Sequence, residues 1–258
     1  MRGMSGKVYF VGSGPGDPDY LTLKALKLLR SSDLVIYDGL VTKSVIQKIP
    51  NSVHRLAIRK DPHAKGIAME EFTKLMVKNA MAGKTVVRLK SGDPLIFGRT
   101  WEEIDALENA GISYEIVPGV SSAFASAAIS RTPLTDRRFS SSIAIVTGHE
   151  ANGKSASNVD WTQLARSVDT LIVLMGASTL SSYSEKLIEA GADGNAPVTV
   201  VYNASRENQK VIRTTLSGAS GGIPLYLGDL CTVIINLRNL SEERYDGMIR
   251  LIPERPVP

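Results

Sequence analysis

Three segments of the chain hold residue types at spacings that suit chemistry. The first is Gly12-Ser-Gly14-Pro-Gly16-Asp17, set between an apolar run and a helical pattern. Such a loop lets backbone approach a ligand closely, and the helix N-terminus beyond it favours an anion. Asp38 ends the next apolar run, where a dinucleotide fold places its ribose-binding acid. The G-x-G-x-x-G fingerprint nevertheless fails at its third glycine, which is Asp17, and Pro15 stiffens the loop. An acid there repels a pyrophosphate, which argues against a nicotinamide or flavin site. The second segment is Arg88-Leu-Lys90-Ser-Gly-Asp93-Pro-Leu-Ile-Phe-Gly-Arg99. A strand here runs into a Gly-Asp-Pro turn at its carboxyl end, where open α/β sheets bind ligands. Asp93 can accept hydrogen bonds from a ribose or an amine, and Arg88, Lys90 and Arg99 can meet carboxylates. The same segment also reads as a plain turn before a capped helix, because Thr100-Trp-Glu-Glu103 is a capping-box pattern.

The third segment, Gly148-His-Glu-Ala-Asn-Gly153-Lys154-Ser155, matches the P-loop pattern G-x-x-x-x-G-K-[ST] in full. The helix that should open at Lys154-Ser155 is replaced by Ala-Ser-Asn-Val-Asp, and helical spacing resumes only near Trp161. Glu150 would sit in the phosphate cradle, and Leu171–Met175 runs into Gly176 rather than a magnesium-binding acid. A surface loop is the expectation. His54, His63 and His149 lack paired ligand spacing, so no metal site is expected. Cys231 begins an apolar strand and is expected to be buried and inert. No G-x-S-x-G nucleophile elbow is present.

Elements that would position these residues alternate between short β-rich runs and helical patterns, the mark of parallel sheets with helical crossovers. Val8–Val11, Leu34–Tyr37, Val53–Ile58, Thr85–Leu89 and Ser113–Val117 read as strands, with helices over Thr22–Leu29 and Met69–Ala82. Gly83 and Gly111 each close a helical pattern as a C′ glycine. A second series follows at Ser142–Val146, Thr170–Met175, Val198–Tyr202, Val211–Thr215 and Thr232–Leu237, with helices at Trp161–Arg166 and Thr179–Ala190. Val198–Tyr202 and Val211–Thr215 lie too close for a crossover and should pair antiparallel. The expectation is an α/β protein of two domains, 1–117 with a parallel sheet and 118–258 with a mixed one, divided at Val117-Pro-Gly-Val120.

At 258 residues, 43% hydrophobic and 22% charged, the chain has apolar matter for a core and is not a disordered one. One cysteine permits no internal disulfide. The net charge of +4, from 30 Lys plus Arg against 26 Asp plus Glu, is mild and nowhere concentrated. Nucleic acid is therefore not an expected partner. The surplus fits a small anionic ligand or merely a solvated surface. The N-terminal residues lack the apolar stretch of a secretion signal, and no run is long enough to span a bilayer. A cytoplasmic, membrane-free protein is expected.

Taken together the segments resemble the uroporphyrinogen-III C-methyltransferase family, within the tetrapyrrole methylases. The resemblance rests on Val-Gly-Ser-Gly-Pro-Gly-Asp17, Val-Ile-Tyr-Asp38-Gly-Leu-Val, Arg-Leu-Lys-Ser-Gly-Asp93-Pro-Leu-Ile-Phe-Gly-Arg, Val-Pro-Gly119-Val-Ser-Ser, Pro133-Leu-Thr and Val-Thr-Gly148-His, in family order. It implies the two-domain tetrapyrrole methylase fold with the cofactor in an inter-domain cleft, usually as a homodimer. The implied reaction carries two methyl groups from S-adenosyl-L-methionine to carbons 2 and 7 of uroporphyrinogen III. Its products are precorrin-2, which leads to sirohaem and cobalamin, and S-adenosyl-L-homocysteine. By the resemblance Pro15, Ser91, Gly92, Asp93, Ile96, Ser121, Ser122, Met175 and Ala204 match cofactor-binding positions. Asp38 matches a proton acceptor and Lys60 a proton donor, although Lys60 can equally bind a substrate carboxylate. Ser91, Trp101, Asp136, Ala204 and Asn236 depart from the family's usual residues. A methylase of a later corrin precursor, or a non-catalytic binding protein on the same fold, are the competing expectations.

Overall fold

The computed structural model describes residues 6–58, 69–138, 140–149, 159–224, 226 and 230–238. The chain divides into two compact units, Met1–Ser121 and Ser122–Pro258.

The first unit is built on a parallel sheet. Its strands are β1 (Lys7–Gly12), β2 (Leu34–Tyr37), β3 (His54–Ala57), β4 (Val86–Lys90) and β5 (Ser113–Val117), in the order β3-β2-β4-β1-β5. Period-2 alternation gives each strand two apolar faces. Val8, Phe10, Ile36 and Val86 pack on one side against Phe72, Met76 and Ala80 of α3 (Met69–Met81) and Ile104 and Leu107 of α4 (Thr100–Asn109). Val11, Val35, Val87 and Leu89 pack on the other against Ala25 and Leu29 of α1 (Leu23–Ser31). Spacings of four residues along α1 and α3 put those side chains on one helix face. The Thr22 hydroxyl starts α1 by accepting from the Ala25 N–H at 3.1 Å. As expected, Gly83 and Gly111 take positive φ, 84° and 64°, where helices end. A short α2 (Lys43–Ile46) was not foreseen.

From β1 the chain departs toward α1 on one face of the sheet, and from β4 toward α4 on the other. Because β1 and β4 are neighbours, the loops after them leave from adjacent carboxyl ends before the chain parts to opposite faces of the sheet.

The second unit holds α5 (Ser122–Ser130), β6 (Ile143–Thr147), α6 (Trp161–Ser167), β7 (Thr170–Leu174), α7 (Leu180–Glu189), β8 (Pro197–Tyr202), β9 (Lys210–Thr215), α8 (Leu216–Ser220) and β10 (Cys231–Asn236). Its sheet runs β6-β7-β10-β8-β9 and is mixed: β6 and β7 are parallel, the other pairs antiparallel. The β8–β9 pairing is the expected antiparallel one. Leu171, Val173, Val198, Val200, Val233 and Ile235 bury one face beneath Trp161, Leu180, Tyr183, Leu187 and Leu216. The Trp161 and Tyr183 rings stack there, 4.7 Å between centroids. Helix α5 packs against β7, β8 and β10 with Ala123, Ala125, Ser126 and Ala127 buried. Small side chains let it lie close to the sheet. No described helix is long and apolar enough to cross a membrane.

Candidate active site

At the open carboxyl edge of the first sheet three loops press together. The Ser13 N–H donates to the Lys90 carbonyl at 2.8 Å, and Gly14 and Gly92 exchange backbone hydrogen bonds at 3.3 and 2.8 Å. The Thr42 hydroxyl donates to the Gly16 carbonyl, tying the far end of the glycine loop to the start of α2. Asp93 fixes the two later loops: one carboxylate oxygen accepts from the Leu95 N–H at 2.8 Å, the other from the Gly119 N–H at 3.0 Å. Pro15 and Ser121 are buried, while Ser91, Gly92, Asp93 and Ile96 are half-buried. Six expected cofactor positions thus converge on one surface, although they span more than a hundred residues of chain.

Glycine is required here by distance. A Cβ on Gly12 would lie 2.5 Å from the Gly119 Cα and 2.5 Å from the Gly92 oxygen. Ser91, in contrast, is absent from the positive-φ residues; Gly92 takes that conformation at 67°. A serine at 91 is therefore accommodated without strain.

Directly beneath the loops lies a buried cluster of four charges. Arg88 and Lys90 alternate on one face of β4 and are 2% and 3% exposed. The Arg88 guanidinium donates through Nε to Glu103 Oε2 at 2.8 Å and through Nη2 to Glu103 Oε1 at 3.2 Å. The same Nη2 donates to Asp38 Oδ1 at 2.6 Å, and Nη1 to the Leu89 carbonyl at 3.1 Å. The Lys90 ammonium pairs with Glu103 Oε1, and the Phe72 ring lies 4.9 Å from the guanidinium carbon. Burial pulls Lys90 below the ordinary lysine range; the Arg88 charge adds to that, and Glu103 opposes both. The Asp38 side chain keeps a quarter of its surface exposed at the end of β2.

Two readings of this segment change as a result. Arg88 and Lys90 are engaged inside the protein by Asp38 and Glu103, so neither is a free cation for a ligand. The capping box does not form either. Arg99 stands at the N-cap with φ 50° and no side-chain cap bond, and the Thr100 hydroxyl donates to the Pro94 carbonyl instead. Glu103 leaves the helix end because two buried cations on β4 compete for it. The turn between β4 and α4 is tight: Phe97 joins Arg99 at positive φ, and Leu95, Phe97 and Trp101 are exposed.

In the second unit Met175 and Ala204 fall at one edge of the sheet. The Met175 N–H donates to the Cys231 carbonyl at 3.1 Å, and the Asn203 N–H to the Leu230 carbonyl at 2.8 Å, on either side of the start of β10. Met175, Asn203 and Ser205 all take positive φ, 56°, 49° and 61°. Strain of this kind costs about 1–3 kcal/mol per residue and collects at ligand sites. Asn203 was not anticipated; its Oδ1 accepts from the Leu230 N–H, while its buried Nδ2 has no hydrogen-bond partner among the described residues. Ala204, in place of the family's glycine, is absent from the positive-φ residues and needs no glycine. Asn236 donates to the Pro133 carbonyl at 3.1 Å, and Asp136 pairs with Arg138. Ser122 opens α5 and is half-buried.

Lys60 lies outside the described residues, as do Glu150 through Ser155 of the P-loop pattern. Among the described residues no group of His, Cys, Asp and Glu is placed to hold a metal ion. Cys231 is buried, and burial pushes its thiol up to about 12, so no thiolate forms near neutral pH.

Comparison with known proteins places these features in context. Residues 7–220 match the family model of the tetrapyrrole (corrin/porphyrin) methylases. The S-adenosyl-L-methionine-dependent uroporphyrinogen III methyltransferase of Methanosarcina barkeri is 40% identical over 217 residues, 84% of this chain and 85% of that protein. The crystal structure of the Thermus thermophilus uroporphyrin-III C-methyl transferase complexed with S-adenyl homocysteine is 32% identical, covers 98% of both chains and gives a TM-score of 0.74. A cobalt precorrin-4 methyltransferase is also 32% identical, over 89% of this chain and 94% of that one, with a TM-score of 0.76.

Proposed function

The chain belongs to the tetrapyrrole methylases, and from that premise we propose that it methylates uroporphyrinogen III at carbons 2 and 7 to give precorrin-2. The observation that carries the reading is the Methanosarcina barkeri relative, whose name specifies both methyl donor and acceptor and whose match covers 84% of this chain. The loop cluster suits S-adenosylmethionine by its place at the carboxyl ends of the parallel strands, and Gly12 and Gly119 let its loops pack backbone on backbone. Pro15, Ser91, Gly92, Asp93, Ile96, Ser121, Ser122, Met175 and Ala204 are the proposed cofactor positions. The buried Asn203 Nδ2 beside Ala204, with no partner among the described residues, adds a donor suited to a heterocyclic acceptor.

When bound, the cofactor supplies a sulfonium methyl, which passes to an electron-rich ring carbon while the bonding pair stays on sulfur and S-adenosylhomocysteine departs. The protein's contribution is mainly positioning. The attacked carbon already bears a side chain and becomes quaternary, so it has no proton to lose. The proton leaves from the pyrrole nitrogen instead, and Asp38 accepts it. Arg88 holds Asp38 Oδ1, and no described residue donates to Oδ2. One oxygen is thereby fixed and the other open to a proton. Lys60 completes the proposal, as an anchor for a substrate carboxylate or as a proton donor. The protein is further proposed to act as a cytoplasmic homodimer on this small anionic substrate. The mild surplus of +4 supports a substrate rich in carboxylates.

Incubation with S-adenosylmethionine and uroporphyrinogen III, read by product mass and absorption, tests the reading. A dimethylated product is expected, and Asp38→Asn should lower kcat by about 10²–10⁴-fold. The second reading, methylation of a later corrin precursor, is favoured by the likeness to the cobalt precorrin-4 enzyme. Absence of any dimethylated product from uroporphyrinogen III would overturn the first reading in its favour.

A further inference from the structure

We propose that Glu103 is a positioning residue for Asp38 and acts on it through Arg88. The inference rests on Asp38 being the proton acceptor, as proposed above. A guanidinium that met Asp38 alone would be free to turn about its side-chain torsions and carry the carboxylate contact with it. Glu103 removes that freedom by taking Nε and Nη2 together at 2.8 and 3.2 Å. A two-point fork of this kind fixes the plane of the guanidinium as well as its place. The second N–H of Nη2 meets Asp38 Oδ1 at 2.6 Å, while Nη1 is committed to the Leu89 carbonyl. The guanidinium thus has its orientation set from inside the unit and presents one N–H group toward the sheet edge.

Stability alone does not account for this arrangement. Four buried or half-buried charges rarely hold a fold better than apolar side chains of similar size would. Lys90 fits the positioning role, because it balances Glu103 and leaves two cations against two carboxylates. Glu103 can then grip Arg88 without leaving a net charge in the core. The first turn of α4 supplies this carboxylate, so the site described above depends on a helix that itself touches no reacting group in the proposal.

A double-mutant cycle on the full chain tests the inference, with Glu103→Gln, Asp38→Asn and their combination. Glu103→Gln is expected to lower kcat for uroporphyrinogen III about tenfold or more, since small misplacements of a reacting group have effects of that order. KM and the calorimetric Kd of S-adenosylmethionine should stay within about twofold. The exchange-protected Arg88 Nε–H signal, followed by ¹⁵N NMR without substrate, should lose its protection. In the Asp38→Asn background Glu103→Gln should change kcat by less than about twofold, because a residue acting through Asp38 has nothing left to act on. Losses that multiply, or an unchanged kcat in Glu103→Gln, overturn the inference and leave Asp38 in its role. A full kcat in Asp38→Asn overturns the assignment of Asp38 and this inference with it. Should Glu103→Gln fail to fold with two cations left against one carboxylate, the pair Lys90→Met and Glu103→Gln restores neutrality. That pair is expected to show the same kcat loss, and wild-type kcat in it would overturn the inference equally.

Discussion

Replacing Gly119 by alanine should damage the cradle in a way that can be worked from its geometry. The new Cβ would lie 2.2 Å from the Gly92 oxygen, 2.7 Å from the Gly12 Cα and 2.9 Å from the Gly12 carbonyl carbon. Ordinary contact needs roughly 3.5 Å, so the Gly92 carbonyl must retreat by about 1 Å. Every atom in the way is backbone, which cannot swing aside as a side-chain tip would. The Gly92 oxygen also accepts from the Gly14 N–H at 3.3 Å, so its retreat breaks the bridge between the glycine loop and the Gly-Asp-Pro turn. Overpacking of this kind costs about 1–3 kcal/mol of stability, and a 1 Å misplacement lowers kcat/KM about 100-fold. Calorimetric titration with S-adenosylmethionine, steady-state turnover and urea denaturation give the three readouts. Gly111→Ala is the matched control: its φ of 64° strains alanine by about 1–2 kcal/mol, but nothing lies within 4 Å of the added methyl. It should lose stability and keep cofactor affinity. If Gly119→Ala binds S-adenosylmethionine within twofold of the parent, or Gly111→Ala weakens binding equally, the cradle is not where the cofactor sits.

Two further substitutions probe the second unit. The buried Tyr183 hydroxyl has no hydrogen-bond partner among the described residues, so Tyr183→Phe should raise stability by about 1 kcal/mol. A lower denaturation midpoint would mean that the hydroxyl is satisfied after all. Asp169 is held below the usual carboxylate range chiefly by the Ser141 N–H, with the Ser142 hydroxyl and N–H and Arg238 acting the same way against burial. A depressed folded value contributes stability above the unfolded value of about 3.9, and loses it as pH falls through the folded one. Asp169→Asn should therefore be less stable at pH 7 and show a shallower loss of denaturation midpoint below about pH 4. Parallel pH profiles for variant and parent would refute that linkage.

The sheet scaffold was legible because strands buried on both faces announce themselves as short apolar runs and helices by their spacing. Ten apolar runs became ten strands within a residue or two, and even the antiparallel β8–β9 pair followed from its short connection. Helix α5 escaped because Ser-Ala-Phe-Ala-Ser-Ala-Ala-Ile-Ser has no contrasting polar face; its small residues are chosen for closeness to the sheet. Glu103 was misread for a different cause. A capping box is a local pattern, and the cations that draw Glu103 away sit on the preceding strand, 13 and 15 residues earlier. Arg88 and Lys90 did carry a signal, since two cations at alternate positions of a central, otherwise apolar strand demand buried carboxylates. Asn203 offered none: only the folded backbone shows it strained, buried and half-paired.

The charge cluster on β4 also governs how this chain can change. Two cations and two carboxylates form a neutral set, and removing any one leaves an uncompensated charge in the interior. Such a loss typically destabilises by about 3–5 kcal/mol, a large part of the 5–15 kcal/mol that holds most domains folded. Substitutions at Asp38, Arg88, Lys90 and Glu103 are therefore tolerated in opposite-charge pairs far better than singly. Stepwise mutation meets a barrier at its first step, so the four positions are energetically tied even where a single member does the chemistry.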